Sequence, residues 1–267
     1  MPEDAAPIVF GRASVTYATY PSLKDRAVIL TGGASGIGAQ TVRRLAEQGT
    51  KVGFLDLAVE AGRALVDELS DAPHTPIFAE CDLRDIAALR EAMGTVLDAI
   101  GTPYALVNNA AHDDRHDWRE VEPDYWDERF HTNLRHQFFA IQAVAPRMFE
   151  AGVGSIVNVG STSWQLKKSQ MIAYTTAKSA VHGLTRSFTQ EFGQHGVRLN
   201  TVMPGWVMTE RQKELWYGAE GGAEIAKFQA LKDEIQPDDL ANMILFLCAD
   251  DSRMCTGQEF YVEGGWL

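Results

Sequence analysis

Short apolar runs rich in Val, Ile and Leu alternate along this chain with longer segments of helical period, and that alternation constrains the fold more than any other feature. "AVIL" precedes a helix-period stretch from Gly36 to Gln48, "VGFLD" one from Val59 to Leu69, and "YALVNN" one that runs through Met148. "SIVNVG" follows, then a helix around "AYTTAKSAVHGLT", then "VRLNTVM". Strands that are almost wholly apolar, separated by helices of about 10 residues or more, predict a parallel sheet covered on both faces. The expected class is α/β, a doubly wound parallel sheet in one domain over 23–267, preceded by an extension over 1–22. From Trp206 to Gln236 the alternation is interrupted by two helix-like pieces around a Gly-rich bend, which predicts a lid.

Composition narrows the function. At 267 residues and 45% hydrophobic the chain can bury a sizeable core. Lys and Arg number 24 against 36 Asp and Glu, a formal charge of −12, and no long basic run interrupts that balance. Nucleic acid and anionic membrane surfaces are therefore excluded as expected partners. Cys81, Cys248 and Cys255 show no CxxC or Cys/His spacing, which argues against a zinc site or a disulfide framework. No metal is expected. The start lacks a basic region followed by an apolar one, and no later run reaches the ~18 apolar residues that span a bilayer. A cytoplasmic protein is the expectation.

"TGGASGIG", Thr31 to Gly38, directly follows the first apolar run and opens into a helix. Gly32, Gly36 and Gly38 permit a tight turn and let backbone N–H groups approach a pyrophosphate, whose charge is favoured at a helix N-terminus. An ordinary Gly-rich turn is the alternative, and the strand before with the helix after favours the dinucleotide reading. Asp56 closes the second strand, where a carboxylate can accept bonds from both ribose hydroxyls and would repel a 2′-phosphate. Leu57 follows it, so no adjacent cation welcomes that phosphate, and NAD is favoured over NADP. Asp56 also suits a cap for the helix near Ala58.

Tyr174 lies one helical turn before Lys178 with only small residues between, so phenol and ammonium share a face. A phenol titrates near ~10, and a base working close to neutrality needs about 3 to 4 kcal/mol of preferential phenolate stabilisation. Lys178 is expected to supply charge for this, with an oxidised nicotinamide ring adding a second positive charge.

These motifs, together with "CDL" at Cys81 to Leu83, "NNAA" at Asn108 to Ala111, Asn133 in "TNL", Ser161 in "VNVGS", "NTVMPGWVMT" and "VEGGW", resemble the short-chain dehydrogenase/reductase family from about Leu23 onward. The resemblance implies a Rossmann-type sheet of about seven strands and catalysis by Asn133, Ser161, Tyr174 and Lys178. Ser161 stands at the family spacing before Tyr174; Ser155 and Ser163 do not. The cofactor residues implied are Gly32, Ser35, Gly36, Ile37, Gly38, Asp56, Tyr174 and Lys178, with Asp82 and Leu83 at the adenine. Asn109 and Ala110 lie beside the cofactor, and Pro204, Gly205, Val207 and Thr209 hold its nicotinamide end. Asn133 is implied to hold a water linking Lys178 to solvent, although a polar side chain bonding helix backbone accounts for it as well. Ala111 departs from the family's glycine and is expected to narrow the backbone slightly. Members of the family are commonly homotetramers, so a homotetramer pairing the long helices after the fourth and fifth strands is expected, though a dimer stays open.

For the substrate, "HDDRHDW" follows "NNAA" at the C-terminal end of a strand, where ligands of such sheets bind. His112, Asp113 and Asp114 suit a polyhydroxylated molecule, while Trp164 and Trp206 offer faces for a sugar ring, with Ser161, Ser163 and Tyr174 at the reacting carbon. Alternatively that loop is simply solvated and ion-paired within itself. "DDRH", "YWDER", "NLRH", "QAVAP", "RQKELWY" and "CTGQEFYVEGGW" resemble bacterial NAD-dependent aldose dehydrogenases of this family, which include D-xylose 1-dehydrogenases. That implies oxidation of a cyclic aldopentose at the anomeric carbon to a lactone, D-xylose favoured and L-arabinose next. Another sugar, a hydroxy acid or a 3-oxoacyl thioester are the enzymatic alternatives, and a non-catalytic NAD-binding sensor is the alternative of another class.

Overall fold

The structure is a computed structural model that describes residues 16–218 and 221–267. Residues 1–15 of the expected extension lie outside the described residues. From Tyr20 onward the chain is tied down: Tyr20 N donates to Gln48 Oε1 at 2.7 Å and Leu23 is fully buried.

Seven strands form one sheet: β1 (Ala27–Thr31), β2 (Lys51–Asp56), β3 (Ile77–Glu80), β4 (Pro103–Asn108), β5 (Gly154–Val159), β6 (Val197–Pro204) and β7 (Glu259–Val262). Their spatial order is β3-β2-β1-β4-β5-β6-β7, and every neighbouring pair is parallel. The doubly wound sheet expected from the apolar runs is thus present. Each parallel step needs a crossover, and the first five are supplied by α1 (Gly36–Glu47), α2 (Val59–Glu68), α3 (Ile86–Ile100), α4 (Pro123–Phe130) with α5 (His136–Ala151), and α6 (Ile172–Gly193).

Side chains alternate across each strand, so one run of apolar residues serves two cores. Val28 and Leu30 of β1, Phe54 of β2, Val107 of β4 and Val157 of β5 pack on one face with Val42 and Leu45 of α1. Ile29, Leu55, Leu106 and Ile156 point the other way, against Leu89, Met93 and Leu97 of α3 and Ile141 and Val144 of α5. Burying each such side chain contributes about 1.5–3 kcal/mol. That two-sided demand explains why these strands read as continuous apolar runs.

Order reverses at β1, which pairs with both β2 and β4, and a crevice opens beyond the C-terminal ends of those two strands. Over it lies the interrupted segment: a short helix α7 (Glu210–Gln212) continuing as a π-helical turn (Lys213–Tyr217), then α8 (Gly221–Phe228). Val207 and Ile235 bridge in parallel, closing the base of the segment before α9 (Pro237–Cys248) returns to the sheet. Among the described residues no helix is long and apolar enough to cross a membrane. The three cysteines are free, with Cys81 and Cys248 buried.

Candidate active site

Strand ends and the segment above them enclose a cleft of about 1260 Å³, more than the ~300–1,000 Å³ of a typical small-ligand pocket. Its floor at one end is the glycine turn. Gly32 and Gly36 have φ of +70° and +54°, the left-handed region open to glycine, and a Cβ on Gly32 would lie 2.7 Å from Ala110 Cα. A Cβ on Gly38 would meet Gly32 O at 1.8 Å, so this glycine sets helix-to-turn packing rather than the cleft wall. Gly32, Ser35, Gly36 and Ile37 line the cleft; Gly38 does not. Asn109 steadies the turn, donating to Gly32 O at 2.7 Å.

Asp56 faces the same cleft and does two things at once. Its carboxylate accepts from Ala34 N in the glycine turn and from Ala58 N at the start of α2, each at 2.9 Å. Leu57, Asp82 and Leu83 line this end as well, and the Asp82 carboxylate is held by Arg84. Arg43, which the sequence reading passed over, also reaches the cleft, but its guanidinium is fixed on Glu68 at 2.6 and 2.7 Å.

At the other end, Tyr174 and Lys178 project from one face of α6. Lys178 is 1% exposed; its Nζ donates to Val159 O at 2.7 Å and lies 5.9 Å from the centre of the Tyr174 ring. Burial pushes the ammonium down to about 7. Ser161 hydrogen-bonds Tyr174, and its Oγ donates to Ser163 Oγ at 2.9 Å. Burial first, then the negative charge of Asp113, raises the Tyr174 phenol above its ordinary range; the Ser161 bond and the Arg115 charge oppose this. The sequence reading had Lys178 lowering the phenol. The geometry differs because that ammonium is itself desolvated and spends a hydrogen bond on Val159.

Asn133 is fully buried in a π-helical turn, His131–Arg135, inserted between α4 and α5. Its Oδ1 accepts from His112 N at 2.8 Å and its Nδ2 donates to Arg129 O at 2.9 Å. The side chain therefore binds backbone on both sides, fixing where the loop after β4 leaves the sheet. Such π turns recur at functional sites. Beside it His136 is buried, its Nε2 3.2 Å from Ala110 O, and burial with the Lys178 charge pushes its imidazole down to about 3.

The loop charges are both cleft wall and ion pairs. His112, Asp113 and Arg115 line the cleft, as does Ala111, whose backbone avoids the left-handed region and so carries its methyl without strain. Arg129, 8% exposed, bonds Asp114 at 3.0 Å, and Arg211 of α7 reaches Asp113 and Asp114 at 3.4 Å each. Gln212 donates to Asp113 at 2.8 Å and accepts from Trp206 Nε1 at 3.1 Å. A continuous polar chain thus runs from Trp206 to the loop.

Pro204, Gly205, Trp206, Val207 and Thr209 all face the cleft, and Thr209 caps α7 by accepting from Gln212 N. Asn109, Ala110, Ser161, Ser163, Tyr174 and Lys178 do so too. Trp164 does not: its indole N–H is buried without a partner among the described residues, and the neighbouring Gln165 donates to Tyr261 Oη at 2.7 Å. Residues brought to the cleft without having been singled out include Arg115, Arg129, Lys168, Met171, Trp216 and Trp266. Arg115, Arg129, Trp216 and Trp266 stand inside quoted motifs, "DDRH", "YWDER", "RQKELWY" and "VEGGW", which was the available signal. Among the described residues no group of three or more His, Cys, Asp or Glu is placed to hold a metal ion.

Comparison with known proteins agrees with this geometry. A family model described as "Enoyl-(Acyl carrier protein) reductase" matches residues 32–267. D-xylose 1-dehydrogenase of Caulobacter vibrioides is 46% identical over 249 residues, covering 93% of this chain and 98% of that protein. A probable galactose dehydrogenase of Rhizobium meliloti is 42% identical, covering 92% and 96%. A blue fluorescent protein from a metagenomic library, solved in complex with NADPH, is 30% identical with a TM-score of 0.83, covering 92% of this chain and 99% of that one. The chain belongs to the short-chain dehydrogenase/reductase family and is an oxidoreductase of that family, whose members typically bind a nicotinamide cofactor.

Proposed function

We propose that this chain oxidises a cyclic aldopentose at its anomeric carbon with NAD, D-xylose before L-arabinose, releasing the sugar lactone. One observation carries the reading: Ser161, Tyr174 and Lys178 meet in a cleft whose wall includes His112, Asp113 and Trp206, polar groups and an aromatic face suited to a ring of hydroxyls. The names of the two sugar dehydrogenase relatives support it.

The residues fit the cofactor. A backbone approach that a Cβ would fill at Gly32, the N-terminus of α1 and a carboxylate at Asp56 suit a pyrophosphate followed by a ribose with free hydroxyls. Gly32, Ser35, Gly36 and Ile37 would hold the pyrophosphate, Asp56 the ribose, Asp82 and Leu83 the adenine. Asn109, Ala110, Pro204, Gly205, Val207 and Thr209 would surround the nicotinamide. When bound, NAD would supply the hydride acceptor and a positive charge that favours phenolate. Ser161 holds the anomeric hydroxyl by a hydrogen bond and aims its proton at the Tyr174 oxygen. Tyr174 takes that proton as general base. Lys178, buried and titrating near neutrality, passes the proton onward, and Asn133 fixes the turn beside it.

Assembly as a homotetramer, without nucleic acid or membrane partners and in the cytoplasm, belongs to the same proposal. An apolar groove between α5 and α6 supports the subunit pairing, lined by Leu134, Phe138, Phe139, Ala180 and Leu184, with Phe138 40% exposed.

The test is initial-rate NADH formation with D-xylose, L-arabinose, D-galactose, D-glucose and a secondary alcohol, repeated with NADP. A pentose preferred at least tenfold in kcat/KM with NAD is expected, about 1.4 kcal/mol of transition-state discrimination. Turnover of the alcohol with silence on every sugar would overturn the reading.

A further inference from the structure

Most cations that line the cleft are neutralised. Arg43, Arg84, Arg129, Lys168, Arg211 and Lys213 each lie within ion-pair distance of a carboxylate. Arg115 meets none among the described residues, in a chain where 36 acidic residues outnumber 24 basic ones. Its guanidinium is nonetheless held in place: the central carbon sits 4.8 Å from the Trp216 ring centre, and one nitrogen donates to Met171 Sδ at 2.9 Å. Thioether sulfur is a weak acceptor, so several N–H groups are left for a ligand. Trp216, in the same wall, has a buried indole N–H with no acceptor among the described residues.

The loop that carries Arg115 is strapped to the start of α6. His116 N donates to Gln170 O at 2.7 Å, and Ala173 N donates to His116 Nε2 at 3.3 Å. Arg115 therefore stands next to the helical turn that bears Tyr174, at a fixed position beside the reacting centre.

We propose that Arg115 is a specificity-determining residue that binds a carboxylate on the substrate, so that the cleft oxidises hexuronic acids in their pyranose form as well as aldopentoses. A hexuronate is a pentopyranose with a carboxylate added at C5, and D-glucuronate repeats the ring hydroxyls of D-xylose. Guanidinium and carboxylate match as two parallel hydrogen bonds. A single guanidinium without a carboxylate partner also matches one negative charge, which favours a carboxylate over a phosphate dianion. The C1–H bond breaks with its electron pair leaving as hydride, reducing NAD to NADH; the anomeric O–H proton goes to Tyr174, and the C1–O bond becomes the lactone carbonyl. The carboxylate is unchanged. This rests on the aldose reading above.

NADH formation is measured with D-xylose, D-glucuronate and D-glucose, the last replacing the carboxylate with a neutral CH₂OH, for the full chain and for Arg115→Met and Arg115→Lys. D-Glucuronate is expected to exceed D-glucose at least tenfold in kcat/KM. Arg115→Met is expected to cut the glucuronate-to-xylose ratio of kcat/KM at least tenfold, mostly through KM, and Arg115→Lys to restore part of it. Any influence of Arg115 on Tyr174 acts on both sugars and cancels in that ratio. Thermal stabilisation by D-glucuronate in the presence of NADH, lost in Arg115→Met, is the matching readout without turnover. D-Xylose oxidised with D-glucuronate no better than D-glucose, or a ratio unmoved by Arg115→Met, overturns this inference and leaves the aldose reading standing. No sugar oxidised by the unaltered chain overturns both.

Discussion

The Lys178 ammonium lies 5.9 Å from the centre of the Tyr174 ring, yet the hydrogen bond it makes goes to Val159 O at 2.7 Å. Lysine and tyrosine share a helix face, but the lysine is anchored to the end of β5 rather than to the phenol. This fixes α6 against the strand whose next turn carries Ser161. Positioning of Tyr174 and of its hydrogen-bond partner are thereby one structural problem, solved by one buried side chain.

Tyr174→Phe removes the proton acceptor and little else, since the ring stays the same size. On the proposed mechanism kcat falls by about 10²–10⁴-fold, the usual contribution of a general base. NADH affinity, followed by tryptophan fluorescence, is expected to change only a few-fold. A variant that keeps its turnover would remove Tyr174 from the chemistry.

Stability should depend on pH through His136. In the unfolded chain its imidazole takes a proton near ~6.5, whereas in the fold it does so only near about 3, because the ring is buried close to the Lys178 charge. The unfolded state binds the proton first, so this contribution is complete above the unfolded value and is lost as pH falls from there toward about 3, by up to about 1.4 kcal/mol per pH unit. Lys178 has the same sign at higher pH: its proton leaves the fold near about 7 but the unfolded chain only near ~10.4, so stability rises with pH across that interval. Urea unfolding between pH 4.5 and 6.5 is expected to show a shallower pH slope in His136→Gln. Equal slopes would refute the assignment.

The sheet was legible because two-faced burial forces unbroken apolar runs, and β1, β2, β4 and β5 are each wholly or almost wholly buried. The glycine turn and the Tyr174–Lys178 pair were legible because their chemistry is local, within eight and five residues. The cleft's charge pattern was not. Arg211 and Asp113 are 98 positions apart and Arg129 and Asp114 are 15 apart, so whether the acids of "HDDRHD" are paired depends on elements folded back from elsewhere. Local sequence gives the charges; only tertiary structure shows that Arg115 keeps none of those acids. The same holds for Trp164, whose place after Ser163 suggested the cleft while its indole packs away from it.

Asp56 is expected to set cofactor choice. Its carboxylate is fixed by Ala34 N and Ala58 N, so it cannot swing away from a ribose 2′-phosphate, and the nearby cleft cation Arg43 is occupied by Glu68. Asp56→Ser should raise the NADP-to-NAD ratio of kcat/KM at least tenfold, about 1.4 kcal/mol. Adding Glu68→Gln, which loosens Arg43, should raise it further. An unchanged ratio in Asp56→Ser would show that selectivity lies elsewhere in the cleft.

Asp113 joins the segment over the cleft to the reacting centre. Gln212 and Arg211 both reach its carboxylate, and its charge is the second cause, after burial, of the raised Tyr174 phenol. It also acts upward on Lys178. Removing a negative charge favours phenolate over phenol and neutral amine over ammonium, so both groups titrate lower in Asp113→Asn. The acidic limb of kcat/KM against pH should therefore move to lower pH in that variant, whichever of the two it reports. Gln212→Ala cuts one tie between the segment and the loop but leaves the charge in place. It is expected to raise the sugar KM with the limb unmoved. A limb that shifts equally in both variants would mean that the position of the segment, rather than the Asp113 charge, governs the base.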